Sequence, residues 1–218
     1  MGKIILEMPD IGNYNLDNVG EMALYNAHFD FYSIRGLIDT TNKSINDISE
    51  MFRMEYVIAE DFGDIYRSSK ALDNQCLHNS RVVPLAYTSI LLMMVSSLEE
   101  AFNCLCRTYH IKNKYSIEYT DLYGQGLERA ITYLDKVVGI KGIKQERNWS
   151  FIVKVRDIRN AVVHNGGRVK KDKVNKYIES GFYIREEDNQ VMFDYEMIVK
   201  IYDEIMEFID NVFRKTPQ

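Results

Sequence analysis

Apolar residues recur every three or four positions along most of this chain, and that spacing constrains the fold more than any other feature. In an α-helix such residues line one face, which must be buried against other elements. Only three prolines occur among the 218 residues, so long uninterrupted helices are allowed. The apolar stripes predict helices at residues 24–38, 45–66 with an end near Ser68, 84–105, 127–138, 151–162 and 198–212.

Two short segments interrupt the helical pattern. Residues 73–80 are polar and predict a loop. The segments FYIR and QVMF flank EEDN and predict a β-hairpin, and Asp194 directly after it is a suitable N-cap for the last helix. The expected fold is all-α: an up-and-down helical bundle with a small β-hairpin before the C-terminal helix. We expect one compact domain overall, with residues 1–70 as an N-terminal helical extension packed on a bundle of residues 71–218.

Charge is distributed unevenly along the chain. The whole sequence carries 27 Lys and Arg against 32 Asp and Glu, a net charge of −5. Residues 136–176 alone carry twelve Lys and Arg against three acids, a net of +9, which leaves −14 for the remainder. A basic segment in an acidic protein is the expected footprint of a polyanion-binding site. The alternative is a solvated helix face whose bases pair with acids elsewhere in the fold.

Several features favour a cytoplasmic protein without a membrane span. Three cysteines, an odd and small number, argue against a secreted disulfide scaffold. No run of about 18 apolar residues is present, and the first ten residues lack the pattern of a signal peptide. Cys104 and Cys106 point to different sides of one helix, and with His110 they do not make a zinc site. We therefore expect neither a metal nor another cofactor.

The segment at residues 155–167, VRDIRNAVVHNGG, contains the side chains best suited to chemistry. At about 100° per residue, Asn160 and His164 lie on the side of the helix opposite its apolar stripe, and Arg159 lies on the flank of that stripe. The two glycines end the helix, so His164 lies in its last turn, where the helix dipole favours a cation. A group that moves a proton and a fixed cation that holds the phosphorane are what metal-free RNA cleavage requires.

This Arg-Asn-x-x-x-His order, apolar between and closed by Asn-Gly-Gly, resembles the HEPN superfamily (higher eukaryotes and prokaryotes nucleotide-binding). In that superfamily an Arg-x(4–6)-His motif, often with Asn after the Arg, lies near the end of a late bundle helix. The earlier stretch SSLEEAFNCL, at residues 96–105, is similar to the other recurring helix of the superfamily, which carries an acidic residue, here Glu99. The resemblance covers about residues 80–213.

The resemblance implies a metal-independent endoribonuclease that cuts single-stranded RNA or tRNA at the interface of a homodimer. Many members are prokaryotic toxins or antiviral effectors, so a cognate antitoxin is a candidate partner. By position, Arg159 would bind the phosphate, His164 would transfer protons, Asn160 would orient one of them, and Glu99 is a further catalytic candidate. Basic residues around the motif are candidates for RNA-backbone contacts: Arg156, Arg168, Lys170, Lys171 and Lys173.

Other interpretations of the same residues remain open. The chain could be a catalytically inactive HEPN-like module that binds RNA, a nucleotide or a protein partner. It could also be a helical adaptor in which the motif occurs by chance. The run ILLMMV at residues 90–95 is apolar on all sides, which places its helix either in the centre of the bundle or at an interface.

Overall fold

The computed structural model describes residues 8–216, most of which are helical. The predictions of a mostly helical chain and of a hairpin just before the last helix are confirmed. Part of the signal-peptide prediction concerns residues 1–7, which lie outside the described range. The elements are α1 Val19–Asp61, α2 Ile65–Leu77, α3 Val83–Asn113, α4 Gly126–Tyr133, α5 Trp149–Asn165, α6 Val174–Ile178, β1 Tyr183–Arg185, β2 Gln190–Met192 and α7 Tyr195–Phe213, with π-helical turns at His78–Val82 and Leu134–Val138 and 3₁₀ turns at Ile11–Asn13, Tyr119–Asp121, Ile143–Gln145 and Lys171–Lys173.

The last helix, α7, lies in the middle of the core. Asp194 caps it as predicted, because its carboxylate accepts a hydrogen bond from the backbone N–H of Met197 at 2.8 Å. Helices α1, α3 and α5 all pack against α7. Burial of one large apolar side chain contributes about 1.5–3 kcal/mol. The predicted stripe is completely buried: Ile198, Ile201, Ile205, Phe208 and Val212.

The N-terminal part of the chain differs from the sequence prediction. The two helices expected before Ser68 form one continuous helix, α1, which ends at Asp61. Residues 39–44 contain neither Pro nor Gly, so the helix propagates through them. The chain then reverses at Gly63, whose φ of +69° lies in the left-handed region, and Asp64 caps α2.

The polar stretch at residues 73–80 was predicted to be a loop, and that prediction is wrong. Helix α2 continues through the first π-helical turn into α3, so one helix of 49 residues runs from Ile65 to Asn113. The stretch has no Pro or Gly, and most of its side chains are exposed, where polar groups do not oppose a helix. The domain boundary expected at residue 70 falls inside this helix.

The 49-residue helix contains a window of 18 residues with a mean hydropathy of 1.6, long and apolar enough to cross a membrane by length and composition alone. The sequence prediction considered only unbroken apolar runs and therefore did not identify this window. Core helices of bundles satisfy the same measure, and 33% of the window is buried inside the protein. Four side chains of the run at residues 90–95 lie in the core, namely Ile90, Leu91, Met94 and Val95.

The outer half of the helical hairpin extends beyond the core. A helix of 43 residues such as α1 is about 64 Å long, whereas the 19 residues of α7 span about 28 Å. Only three side chains between residues 41 and 77 are buried, and we call this segment the arm. At its tip Phe62, Ile65 and Tyr66 are 84%, 81% and 79% exposed.

A chain of hydrogen bonds fastens the segment before α1, and α1 itself, to α7. The hydroxyl of Tyr14 donates to Nδ1 of His28 at 2.6 Å, and Nε2 of His28 donates to Asp210 at 2.6 Å. A carboxylate can only accept, which fixes the imidazole hydrogen on Nε2. Burial, together with the charge of Asp210, raises the pKa of Tyr14, so the hydroxyl keeps its proton.

We expect His28→Ala to lower the free energy of unfolding by about 1–3 kcal/mol, because Tyr14 and Asp210 lose their shared partner. Urea denaturation followed by circular dichroism measures the difference. His164→Ala is a matched control at an exposed histidine, and it should change the free energy by less than about 0.5 kcal/mol. Equal losses in both variants would show that this chain of hydrogen bonds does not fasten α1 to α7.

Candidate nucleic-acid interface

The apolar face of α5 packs on α7, so the polar face of α5 points towards solvent. Just before α5, the side-chain amide of Asn148 donates to the backbone oxygen of Glu204 on α7 at 2.8 Å. Trp149, the first residue of α5, packs 5.7 Å from the ring of Phe208. The buried side chains of α5 are Phe151, Ile152, Val155 and Ile158.

The end of α5 is fixed by the β-hairpin. Gly166 and Gly167 have φ values of +60° and +82°, and both backbone N–H groups donate to the oxygen of Ala161. The side chain of Gln190 donates to the oxygen of Gly166 at 2.8 Å, and the N–H of Val191 donates to the oxygen of Gly167 at 3.0 Å. Strand β2 therefore determines where the last turn of α5, with the motif histidine, is placed.

A charged cluster keeps the hairpin in this position. Arg185 donates to Asp188 at 2.7 and 2.9 Å and also to Gln190. Arg168 lies 3.5 Å from the same carboxylate. Hydrogen bonds from Arg185 hold the pKa of Asp188 at about 2, so this carboxylate is ionised at neutral pH. Sequence reasoning missed Arg185, Asp188 and Gln190 as positioning residues, because a pattern of alternating residues predicts a hairpin but not what it packs against.

The motif residues lie on the polar face and have few hydrogen-bond or ion-pair partners. Asn160 and His164 are exposed, and Arg159 is partly buried. Nη1 of Arg159 donates to the side-chain oxygen of Asn160 at 3.1 Å, whereas its Nε is buried without a hydrogen-bond partner in the described part of the chain. Within residues 8–216 no side-chain hydrogen bond or ion pair involves the imidazole of His164. One copy therefore presents a cation and an imidazole about 140° apart around the helix, not converging on a single point.

Arg156 lies on the same face but is already engaged. Its guanidinium is 2.8 Å from the carboxylate of Glu128 on α4 and 3.4 Å from Asp157, and its side chain is 19% exposed. Lys173 lies 3.9 Å from Asp157. To contact RNA, Arg156 would have to exchange a carboxylate for a phosphate, so it is better placed to join α4 to α5.

Glu99 packs against the start of α4. Its carboxylate lies against the first residue of α4, where a Cβ built on Gly126 would be 2.7 Å from Oε1. In the described residues no hydrogen bond or ion pair connects Glu99 to Arg159 or His164. Its catalytic role stays a prediction.

The basic loop after the motif is exposed. Arg168, Lys170, Lys171 and Lys173 all lie at the surface. Arg168 and Lys173 have the carboxylate neighbours described above, whereas no carboxylate of residues 8–216 lies within 4 Å of Lys170 or Lys171. These two ammonium groups are the ones most available to a polyanion.

A groove of about 680 Å³ runs beside the motif, between α3 and the end of α5. One wall includes Leu85 and Leu92 of α3, and the other includes Val162 and Gly166. Leu85 is 68% exposed, and Val163, which lies between Arg159 and His164 on the helical wheel, is 49% exposed. Apolar side chains are thus interspersed with the polar motif on this surface.

No group of three or more His, Cys, Asp or Glu that could hold a metal occurs in residues 8–216. Cys106 is buried, and its thiol donates to the backbone oxygen of Ala130 at 3.5 Å. Burial raises the pKa of Cys106 to about 12, so it remains a thiol at neutral pH and is a poor metal ligand.

Comparison with known proteins found no relative of this chain. No family model, no curated protein and no solved structure matches the chain.

Proposed function

We propose that this protein is a metal-independent endoribonuclease of HEPN type that cleaves single-stranded RNA or tRNA. The observation that carries the proposal is the exposed polar face of α5. There the Arg159–Asn160 pair and the unengaged His164 lie next to two lysines without carboxylate neighbours, in the segment of highest positive charge. The HEPN-like identity of the bundle is part of the proposal and rests on the motif, its late position and the helical fold.

The residues divide the reaction between them. The 2′-oxygen of the substrate attacks phosphorus, the bond to the 5′-oxygen breaks, and the products are a 2′,3′-cyclic phosphate and a 5′-hydroxyl. Arg159 holds the charged phosphorane, and its hydrogen bond with Asn160 keeps the guanidinium in one orientation. His164 transfers protons.

The proposed reaction favours a homodimer. One proton must leave the 2′-hydroxyl while another reaches the 5′-oxygen, and one imidazole cannot hold both states at once. Two copies that meet along the motif face supply two imidazoles and two guanidinium groups. The exposed Leu85 and Val163 provide apolar contact area beside the motif for such a pairing.

Toxin or anti-phage activity in the cytoplasm of a prokaryote, restrained by a cognate antitoxin, follows from the resemblance and belongs to the same proposal. The alternative is an inactive HEPN-like module that binds RNA, a nucleotide or a protein partner. Cleavage assays separate the two.

We expect Arg159→Ala and His164→Ala each to reduce RNA cleavage by about 10²–10⁴-fold, because each removes a group that acts in the transition state. The assay uses total RNA in EDTA, with product ends mapped for cyclic phosphate. Matched controls are Arg147→Ala and His110→Ala, which lie off the motif face and should retain activity. DNA should not be cut, since it lacks the 2′-hydroxyl. Activity that requires magnesium, or a loss of only a few-fold in His164→Ala, would reject the mechanism.

Leu85→Asp and Val163→Asp should convert the dimer to a monomer and abolish cleavage together, because a charge replaces an apolar contact at the interface. Light scattering at micromolar concentration measures the mass. Ile111→Asp, at the other end of α3 and 74% exposed, should leave both mass and activity unchanged. A wild-type monomer, or variants that stay dimeric, would contradict this assembly.

Reversing the charges of Lys170 and Lys171 should weaken RNA binding without changing sequence preference, because phosphate contacts carry no sequence information. Two lost contacts should reduce the slope of log affinity against log salt by about 1.4. The double variant Lys43→Glu/Lys70→Glu makes the same change in net charge on the arm and serves as control. An unchanged slope at the loop would place the RNA elsewhere.

A further inference from the structure

A second basic feature lies at the other end of α5. The end of α4 and the loop that follows it line a cavity of about 370 Å³ that is open to solvent. Three lysines line it: Lys136, Lys141 and Lys144. All three lie outside the Arg-Asn-x-x-x-His segment and were not predicted to be site residues.

The loop is anchored so that its lysines face outward. Ile140 and Ile143 are buried at 2% exposure each, and the N–H of Ile140 donates to the oxygen of Leu134 at 2.9 Å. Gly139 and Gly142, with φ values of +91° and +80°, make the turns that alternate buried isoleucine with exposed lysine. The ammonium groups are therefore displayed by a fixed backbone.

The charge of the cavity is only partly neutralised. Asp135 is the one acid among its lining residues, and it lies 3.4 Å from Lys141. In the described residues, no carboxylate lies within 4 Å of Lys136 or Lys144. Three lysines and one aspartate leave a net charge of +2 around a space large enough for a phosphate group.

The cavity is connected to the motif helix through α4 and through the loop that leads into α5. Glu128 and Thr132, at i and i+4, share a face of α4, and Asp135 follows in the π-helical turn Leu134–Val138. The ion pair between Glu128 and Arg156 places that face beside the polar face of α5. The distance along α5 from Trp149 to His164 is about 22 Å.

We infer that the lysine cavity is a second binding site for the phosphate backbone of RNA. This inference rests on the proposed function, and it adds the length of substrate that the protein engages. At about 3.4 Å per stacked nucleotide, RNA that runs the 22 Å along α5 towards His164 covers about six nucleotides. RNA shorter than this span reaches only the motif, whereas longer RNA contacts both sites.

The test compares Lys136→Glu/Lys144→Glu with the wild type on two probes. Lys141 is left unchanged, because it donates to the backbone oxygen of Asp135 and so supports the loop. The probes are fluorescent oligouridines of 4 and 16 nucleotides with 2′-O-methyl groups, which bind but cannot be cleaved. The variant Lys43→Glu/Lys70→Glu controls for net charge, and Lys170→Glu/Lys171→Glu serves as a comparison beside the motif.

The cavity variant should bind the 16-mer roughly ten- to thirty-fold more weakly in 0.1 M salt, with a salt slope lower by about 1.4, and bind the 4-mer like the wild type. The comparison variant beside the motif should lose affinity for both probes. Equal binding of the 16-mer by the cavity variant and the wild type, or equal losses on both probes, would overturn the second site and leave the proposed function standing. A wild-type protein that binds neither probe would overturn both.

Discussion

The burial of α7 is the constraint on which the rest of the fold depends. Its apolar stripe is covered by three other helices, and the ring of Phe208 alone is in contact with Phe102 of α3 and Trp149 of α5. Because α5 packs on α7, the apolar contacts between these two helices determine the direction in which the motif face points. Of the polar side chains on that face, Arg156 takes part in the packing through Glu128, whereas Asn160 and His164 are exposed.

The sequence predicted helices well where each had one apolar stripe and clear end signals. The cap of α7 at Asp194 and the glycine end of α5 both follow known local chemistry, and both are confirmed. The prediction failed in the long hairpin, where an exposed helix can be polar on most of its surface and composition no longer separates helix from loop. The signal for the true turn was nevertheless present, as glycine followed by the capping residue Asp64.

The candidate site was predictable only in its local part. The spacing places Asn160 and His164 opposite the apolar stripe and Arg159 on its flank, and the structure leaves Asn160 and His164 exposed. The contact of Gln190 with the end of α5 and the pairing of Arg156 with Glu128 join residues 24 and 28 positions apart. Such pairs depend on how the elements pack, which no local pattern encodes. The same limit applies to Glu99, whose neighbour turned out to be α4.

The hydrogen bonds of His28 have a consequence for how the protein is made. They connect positions 182 residues apart, so the contacts of α1 with α7 form only after the last helix has been made. During synthesis from the N-terminus, α5 emerges before the helix that supports it. Until α7 has left the ribosome, the apolar stripe of α5 has no complete partner, and the motif has no fixed direction. The final twenty or so residues therefore decide whether those already synthesised assemble a site at all.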